Sequence, residues 1–254
     1  MRAIQPLSVI DLTMAYDDFI LQQNISFTVE RGDIFIIMGG SGCGKSTLLR
    51  HLIGLKPPQK GKIMYADFDF WQADAAEREK ILQRSGILYQ SGALWSSMTL
   101  AENVALPLQR YTVLHPPVVR ELVEFKLSLV GLNGFSEYYP SELSGGMRKR
   151  AALARAIALD PELLFFDEPS AGLDPVTSRH LDELILELRD SLGATVIMVT
   201  HELDSIYSIG TNSVFLDREA KTMLAVGNPK TMAQETENPV VIDFLTRGTG
   251  KRPR

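Results

Sequence analysis

One run of residues constrains this chain more than any other. Gly39-Gly40-Ser41-Gly42-Cys43-Gly44-Lys45-Ser46 satisfies G-x-x-x-x-G-K-[ST]. It follows an apolar run, Ile34-Phe35-Ile36-Ile37-Met38, and leads into a segment with a helical pattern from about Lys45 to Leu55. Glycines let such a loop curl until successive backbone N–H groups point inward, forming a nest for phosphate oxygens. The helix that follows adds its positive N-terminal end. Lys45 is expected to reach the β- and γ-phosphates of ATP, and the Ser46 hydroxyl to ligate Mg²⁺. Gly39, Gly40, Ser41, Gly42, Cys43, Gly44 and Thr47 complete the expected contacts. A turn that merely joins strand to helix has no need of the Lys-Ser pair. Cys43 has two readings, a thiol activated by the helix N-terminus or a small residue filling a variable loop position. The second is favoured, with alkylation then acting only through bulk.

A second apolar run, Leu163-Leu164-Phe165-Phe166, delivers Asp167-Glu168-Pro169 at its end. In open parallel sheets ligands bind beyond the strand C-termini, so Asp167 is expected to hold Mg²⁺ through water. Glu168 is expected to act as general base on the attacking water. A third run, Thr195-Val196-Ile197-Met198-Val199, is followed by His201, which would hydrogen-bond the γ-phosphate and orient the water. Between the last two runs lies a helix with Asp174 as N-cap, Pro175 in the first position and Gly193 at its end. Val176, Leu181, Leu184, Ile185, Leu188 and Leu192 are expected on its buried face. Strand, helix, strand is a right-handed crossover, which predicts a largely parallel, doubly wound α/β core. Residues 92–159 read as mostly helical, a subdomain inserted into the sheet domain.

Composition narrows the class. Lys plus Arg is 26 and Asp plus Glu 31, so the net charge is 26 − 31 = −5. No basic surplus points to nucleic acid. Cys43 is the single cysteine, which excludes an internal disulfide and fits a reducing compartment. The first residues carry no signal-peptide pattern, and no run approaches the ~18 apolar residues that span a bilayer. Any membrane part is therefore expected from another chain. Gly248 to Arg254 reads as a frayed tail.

Over about Leu7 to Gly227 these residues resemble the nucleotide-binding domains of ABC transporters. Leu143-Ser144-Gly145-Gly146-Met147 looks like the family's signature motif, opening an Ala-rich helix from Arg148 to Leu159. The resemblance implies one nucleotide-binding domain, 1–254, with a P-loop NTPase core and a largely parallel sheet. It also implies an N-terminal antiparallel β part, the helical insert at about 92–159 and a C-terminal extension at about 239–254. It implies head-to-tail pairing with a second copy, so that Ser144, Gly145 and Gly146 contact the γ-phosphate held by the other subunit. Gln90 matches the glutamine that senses Mg²⁺ and the water. Ser170-Ala171-Gly172-Leu173-Asp174 matches the loop that communicates across the dimer, and Tyr16 the aromatic that stacks on adenine.

Within that family, Met147 followed by Arg148-Lys149-Arg150 departs from the glutamine and Gln-Arg pair of many importers. Together with Ser91-Gly92-Ala93-Leu94-Trp95 and the segment Thr99 to Leu108, this resembles the ATPase of MCE-associated, Mla-type lipid transporters. That implies a Mla-type membrane permease, an MCE-domain protein, accessory cytoplasmic subunits and phospholipid as cargo. The ATPase would sit on the cytoplasmic face of the inner membrane through its permease. Two alternatives stay open: another ABC importer or exporter, and a cell-envelope regulatory complex that transports nothing. Trp95 either anchors a permease helix or packs inside the helical subdomain. Pro239 to Leu245 docks on its own domain, on the dimer partner or on an accessory protein.

Overall fold

Alternating side chains build the first strands of the computed structural model, which describes residues 7–250. In β1 (Leu7–Tyr16) and β2 (Phe19–Val29), Leu7, Val9, Phe27 and Val29 turn inward while Ile10 and Thr28 face out. The two strands run antiparallel with Leu7 opposite Val29. After β3 (Ile34–Gly39) and α1 (Lys45–Leu52), β4 (Lys60–Tyr65) joins the other side of β1 and β5 (Phe68–Asp69) closes a hairpin. The order β2-β1-β4-β5 is the antiparallel part expected near the N-terminus. Helix α1 stops at Leu52, short of the expected Leu55, because Gly54 takes a left-handed φ of 77°. The Leu55 and Gly54 N–H groups then turn back to the Arg50 and His51 carbonyls, a glycine-dependent helix stop.

The chain forms two compact units that divide within α2 (Ala75–Gln83): one takes the chain up to Arg78 and from Thr195 onward, the other is Glu79–Ala194. The second unit contains β6 (Ser85–Leu88), α3 (Leu100–Tyr111), α4 (Pro116–Leu129), α5 (Gly145–Ala156), β7 (Leu163–Asp167) and α6 (Pro175–Leu192). Strands β6 and β7 are parallel, with Leu88 opposite Phe166. Helix α3 opens on a capping box in which Thr99 and Glu102 satisfy each other's N–H groups. Helix α6 begins and ends where Asp174 and Gly193 predict. Leu181, Ile185 and Leu188 are buried, but Val176 is 64% exposed. At ~100° per residue, Val176 lies well away from the stripe that Leu181 and Ile185 define.

The first unit resumes with β8 (Thr195–Val199), α7 (Leu203–Ile209), β9 (Asn212–Asp217), β10 (Thr222–Val226), α8 (Pro229–Glu235) and α9 (Pro239–Leu245). Strand β3 lies between β8 and β9 and is parallel to both, and β10 is antiparallel to β9. Every residue of β3 and β8 is buried, as in a sheet covered on both faces. The expected α/β class, mostly parallel with an antiparallel part, is what the chain adopts. Helix α9 packs on its own unit: Val241 and Leu245 are buried, the Phe244 ring meets Phe215 edge-on at 5.1 Å, and the Tyr207 hydroxyl donates to the Leu245 carbonyl at 2.7 Å. The expected frayed tail is held as far as Gly250, whose N–H donates to the Thr246 hydroxyl at 3.0 Å. Residues 251–254 lie outside the described residues. Among the described residues no helix is long and apolar enough to cross a membrane.

Candidate functional site

In the first unit, Ile37 of β3 lies opposite Val199 of β8. Two residues further on, Gly39 and His201 leave the same C-terminal end of this parallel pair. The loop that starts at Gly39 tolerates no side chain there: its φ is 144°, and a Cβ would sit 2.2 Å from the Leu216 carbonyl oxygen. Gly44 is also left-handed, at φ 102°, and caps α1. Gly40, Ser41 and Gly42 are exposed while Cys43 is buried beneath them. Burial pushes the Cys43 thiol above its ordinary value, so the activated-thiol reading does not fit and the space-filling one does. The Cys43 carbonyl accepts from the buried Gln22 amide at 2.7 Å, and that same amide donates to the Asp217 carbonyl at 2.7 Å. The Lys45 ammonium donates to the Gly39 and Gly40 carbonyls at 2.9 and 3.1 Å, across the loop's mouth.

Ser46 and Thr47 follow in the first turn of α1, half-buried. Tyr16, at the end of β1 and 44% exposed, places its hydroxyl 3.3 Å from the Thr47 hydroxyl. That hydrogen bond, with Lys56 and Arg50 nearby, pulls the Tyr16 phenol below its ordinary value. The Lys56 ammonium sits 3.2 Å from the ring centroid and donates to the Ala15 carbonyl at 2.8 Å. The structure thus brings Tyr16 beside the glycine-rich loop. His201 is exposed, its Nε2 3.6 Å from a Glu202 carboxylate oxygen.

In the second unit, the register of Leu88 with Phe166 sends Gln90 and the Asp167-Glu168 pair out of the same end of β6 and β7. Gln90 is exposed in a turn closed by Gly92 N–H to the Tyr89 carbonyl at 2.7 Å. Asp167 is half-buried and Glu168 only 9% exposed. Glu168 has φ 48°, a left-handed conformation uncommon for a residue with a side chain. Its carbonyl accepts from the Ala171 N–H at 3.1 Å, which tightens the turn into Ser170-Ala171-Gly172.

The signature-like segment departs from expectation in register. Helix α5 starts at Gly145 and ends at Ala156, not Arg148 to Leu159, because Ser144 is its N-cap and accepts from the Met147 N–H at 3.2 Å. Ser144 and Gly145 are exposed, so the open first-turn N–H groups of a 12-residue helix face outward there. A Cβ on Gly146 would come within 2.7 Å of Thr177.

Pattern reading missed two residues. Gln22 lies just before a kink at Asn24 (φ 55°), which breaks the alternation that would have marked it as inward. Lys149 is only 8% exposed, and burial lowers its ammonium pKa while Glu168 counters. A lysine in an Ala-rich helix gives no sign of such burial. Among the described residues no three His, Cys, Asp or Glu side chains cluster as a metal site. The Ser46 hydroxyl in the first unit and the Asp167 carboxylate in the second are each hard oxygen donors. They suit Mg²⁺, which takes few protein ligands and fills its shell with water and phosphate oxygens.

Comparison with known proteins identifies the family and the fold. The ABC transporter family model matches residues 22–171. The intermembrane phospholipid transport system ATP-binding protein MlaF of Escherichia coli K12 is 41% identical over 222 residues, covering 87% of this chain and 81% of that protein. Its namesake in Haemophilus influenzae is 38% identical, covering 94% and 89%. The probable ribonucleotide transport ATP-binding protein mkl of Mycobacterium tuberculosis H37Rv is 37% identical over 94% of this chain, which spans 66% of that protein's length. Among solved structures, the ATP-binding cassette MJ0796, dimeric in a post-hydrolysis state with ADP and Pi, superposes with a TM-score of 0.78. It is 27% identical, with 87% of this chain and 98% of that one covered. The cbiO1 subunit of the Clostridium perfringens cbiONQ transporter complex reaches 0.82 at 27% identity, covering 96% of each chain.

Proposed function

The chain belongs to the ABC transporter family, and from that premise we propose that it powers phospholipid movement through a membrane permease, paired head to tail with a second copy of itself. It is an ABC-type ATPase. The observation that carries the catalytic reading is the glycine-rich loop at the end of β3, with the Lys45 ammonium held across its mouth.

Each group then has a task. The loop from Gly39 to Gly44 binds the phosphates through backbone N–H groups. Lys45 exchanges its loop carbonyls for β- and γ-phosphate oxygens, while Tyr16 stacks on adenine. Ser46 and Asp167, with Gln90, hold Mg²⁺, which when bound neutralises phosphate charge. Glu168 takes the proton from the attacking water, and His201 steadies the γ-phosphate. Ser144, Gly145 and Gly146 of the second copy present their helix N-terminus to that same phosphate. In this reading residues 92–159 form an inserted helical subdomain of one nucleotide-binding domain. The complex sits at the cytoplasmic face of the inner membrane, with an MCE-domain protein and small accessory subunits as further partners.

The phospholipid reading is supported by the MlaF relatives, and a ribonucleotide cargo by the mkl relative. The deciding experiment reconstitutes the chain with its permease in phospholipid vesicles and follows transfer of a fluorescent phospholipid alongside ATPase stimulation by added ribonucleotides other than ATP. ATP-dependent lipid transfer supports the proposal. Stimulation by ribonucleotides with no lipid transfer supports another ABC importer, and ATP hydrolysis coupled to neither supports a regulatory complex.

A further inference from the structure

Helix α5 carries a basic run, Arg148-Lys149-Arg150, whose members go separate ways. Arg148 donates to the Leu143 carbonyl at 2.6 Å, and Arg150 to the Val130 and Gly131 carbonyls at 3.3 and 3.4 Å. These two tie down loops around the helix. Lys149 instead runs inward, nearly buried, and its ammonium donates to the Ala171 carbonyl at 2.6 Å and to the Glu168 carbonyl at 3.4 Å. A surface lysine keeps its ammonium in water, so burying one against two backbone carbonyls calls for a reason.

The turn it grips supplies that reason. Glu168 holds φ 48°, and the structure around it must over-determine that strained conformation. Its carbonyl receives the Ala171 N–H on one side and the Lys149 ammonium on the other. The Ser170 hydroxyl between them is buried with no hydrogen-bond partner, so it gives the turn no support of its own. We propose that Lys149 is a positioning residue for ATP hydrolysis: from the signature helix it clamps the Glu168–Ala171 turn and so sets where the Glu168 carboxylate stands. Because Ser144 caps the start of α5, the clamp also links the segment offered to the second copy's ATP with the base that serves this copy's own. The inference rests on Glu168 being the base.

The test uses the full chain and compares Lys149→Met, which keeps most of the length but removes the donors, with Lys149→Gln, which keeps a shorter, neutral amide donor group. Misplacing a catalytic group by about 1 Å can cost on the order of 10²-fold in rate. For Lys149→Met, kcat should fall by roughly 10- to 100-fold, while KM for ATP and binding of a fluorescent ATP analogue stay close to wild type. Lys149→Gln should turn over at an intermediate rate. Were Lys149→Met not to accumulate folded, Lys149→Gln is read by the same split of kcat from KM. A wild-type kcat in the variant read, or a loss carried by KM, overturns the proposal. Glu168→Gln in parallel separates the two ideas. If it keeps wild-type turnover, the base assignment has failed. If it is dead while the Lys149 variant is normal, only the clamp has failed.

Discussion

At Glu168 the chain accepts a left-handed φ of 48° without being glycine, a strain of order ~1–3 kcal/mol that tends to collect at functional sites. Glu168→Gln keeps the shape and removes the base, so turnover should drop by ~10²–10⁴-fold with ATP binding intact. The variant should also accumulate as an ATP-bound dimer on size-exclusion chromatography, and wild-type turnover would refute the assignment. Lys45→Ala acts earlier, on binding, because it removes the cation facing the β- and γ-phosphates. A fluorescent ATP analogue should bind it far more weakly at an unchanged melting temperature. Positions of this kind were legible in the sequence because phosphate chemistry admits few side chains at fixed spacing. Gly39 shows why: a methyl group there would overlap the Leu216 carbonyl oxygen. Gln22 and Lys149 were not legible, since both act by donating to backbone carbonyls far away in sequence.

Elements were readable where their ends are chemically marked. Asp174, Pro175 and Gly193 bound α6 to the residue, because a cap, a fixed φ and a left-handed stop are local properties. Ser144 is equally a cap, but read as part of a signature it hid the true start of α5. Strand β1 resisted reading because its register shifts between Val9 and Leu12 around Asp11, which has φ 46°, and a bulge spoils period-two alternation. Two stability predictions belong here. Thr99→Ala breaks the capping box of α3 and should cost about 1 kcal/mol in urea unfolding. A wild-type midpoint would show that the box is idle. The Asp174 carboxylate is held below its ordinary value, first by the Thr177 hydroxyl and N–H and then by the Val176 N–H. A depressed folded-state pKa means its stabilising effect is complete above the ordinary value near 3.8 and fades as pH falls through the lowered one. Asp174→Asn should therefore flatten the acid limb of the stability curve below about pH 4. An unaltered limb would show that the cap is not felt there.

For the whole molecule, the proposed function requires a surface for a permease and a surface for a second copy of the chain. Trp95 is 58% exposed, yet its backbone is fixed, because the buried Asn103 amide bonds its N–H and carbonyl at 2.8 and 3.1 Å. The side chain is therefore displayed on a rigid loop and not packed in the core. Trp95→Ala should leave the melting temperature and ATP binding of the isolated subunit near wild type and weaken co-purification with the permease. A loss of ~3–5 kcal/mol in the subunit alone, as for a buried aromatic, would end that reading. Pairing with a copy makes a sharper demand. The exposed Ser144–Gly145 helix start cannot serve ATP held in another subunit unless that subunit brings an intact cradle. Ser144→Arg should thus spare nucleotide binding by the monomer and stop hydrolysis by the dimer, whereas Lys45→Ala damages the cradle and leaves the signature sound. Each variant alone spoils both sites of its own dimer. In a mixed dimer one site unites the Ser144→Arg subunit's intact cradle with the Lys45→Ala subunit's intact signature, and the other site is doubly broken. Mixing the two inactive proteins should therefore restore part of the wild-type ATPase rate, rising with the mixed fraction. If the mixture stays inactive while native mass spectrometry shows mixed dimers, or if Ser144→Arg alone abolishes nucleotide binding, the two sites are not shared in this way.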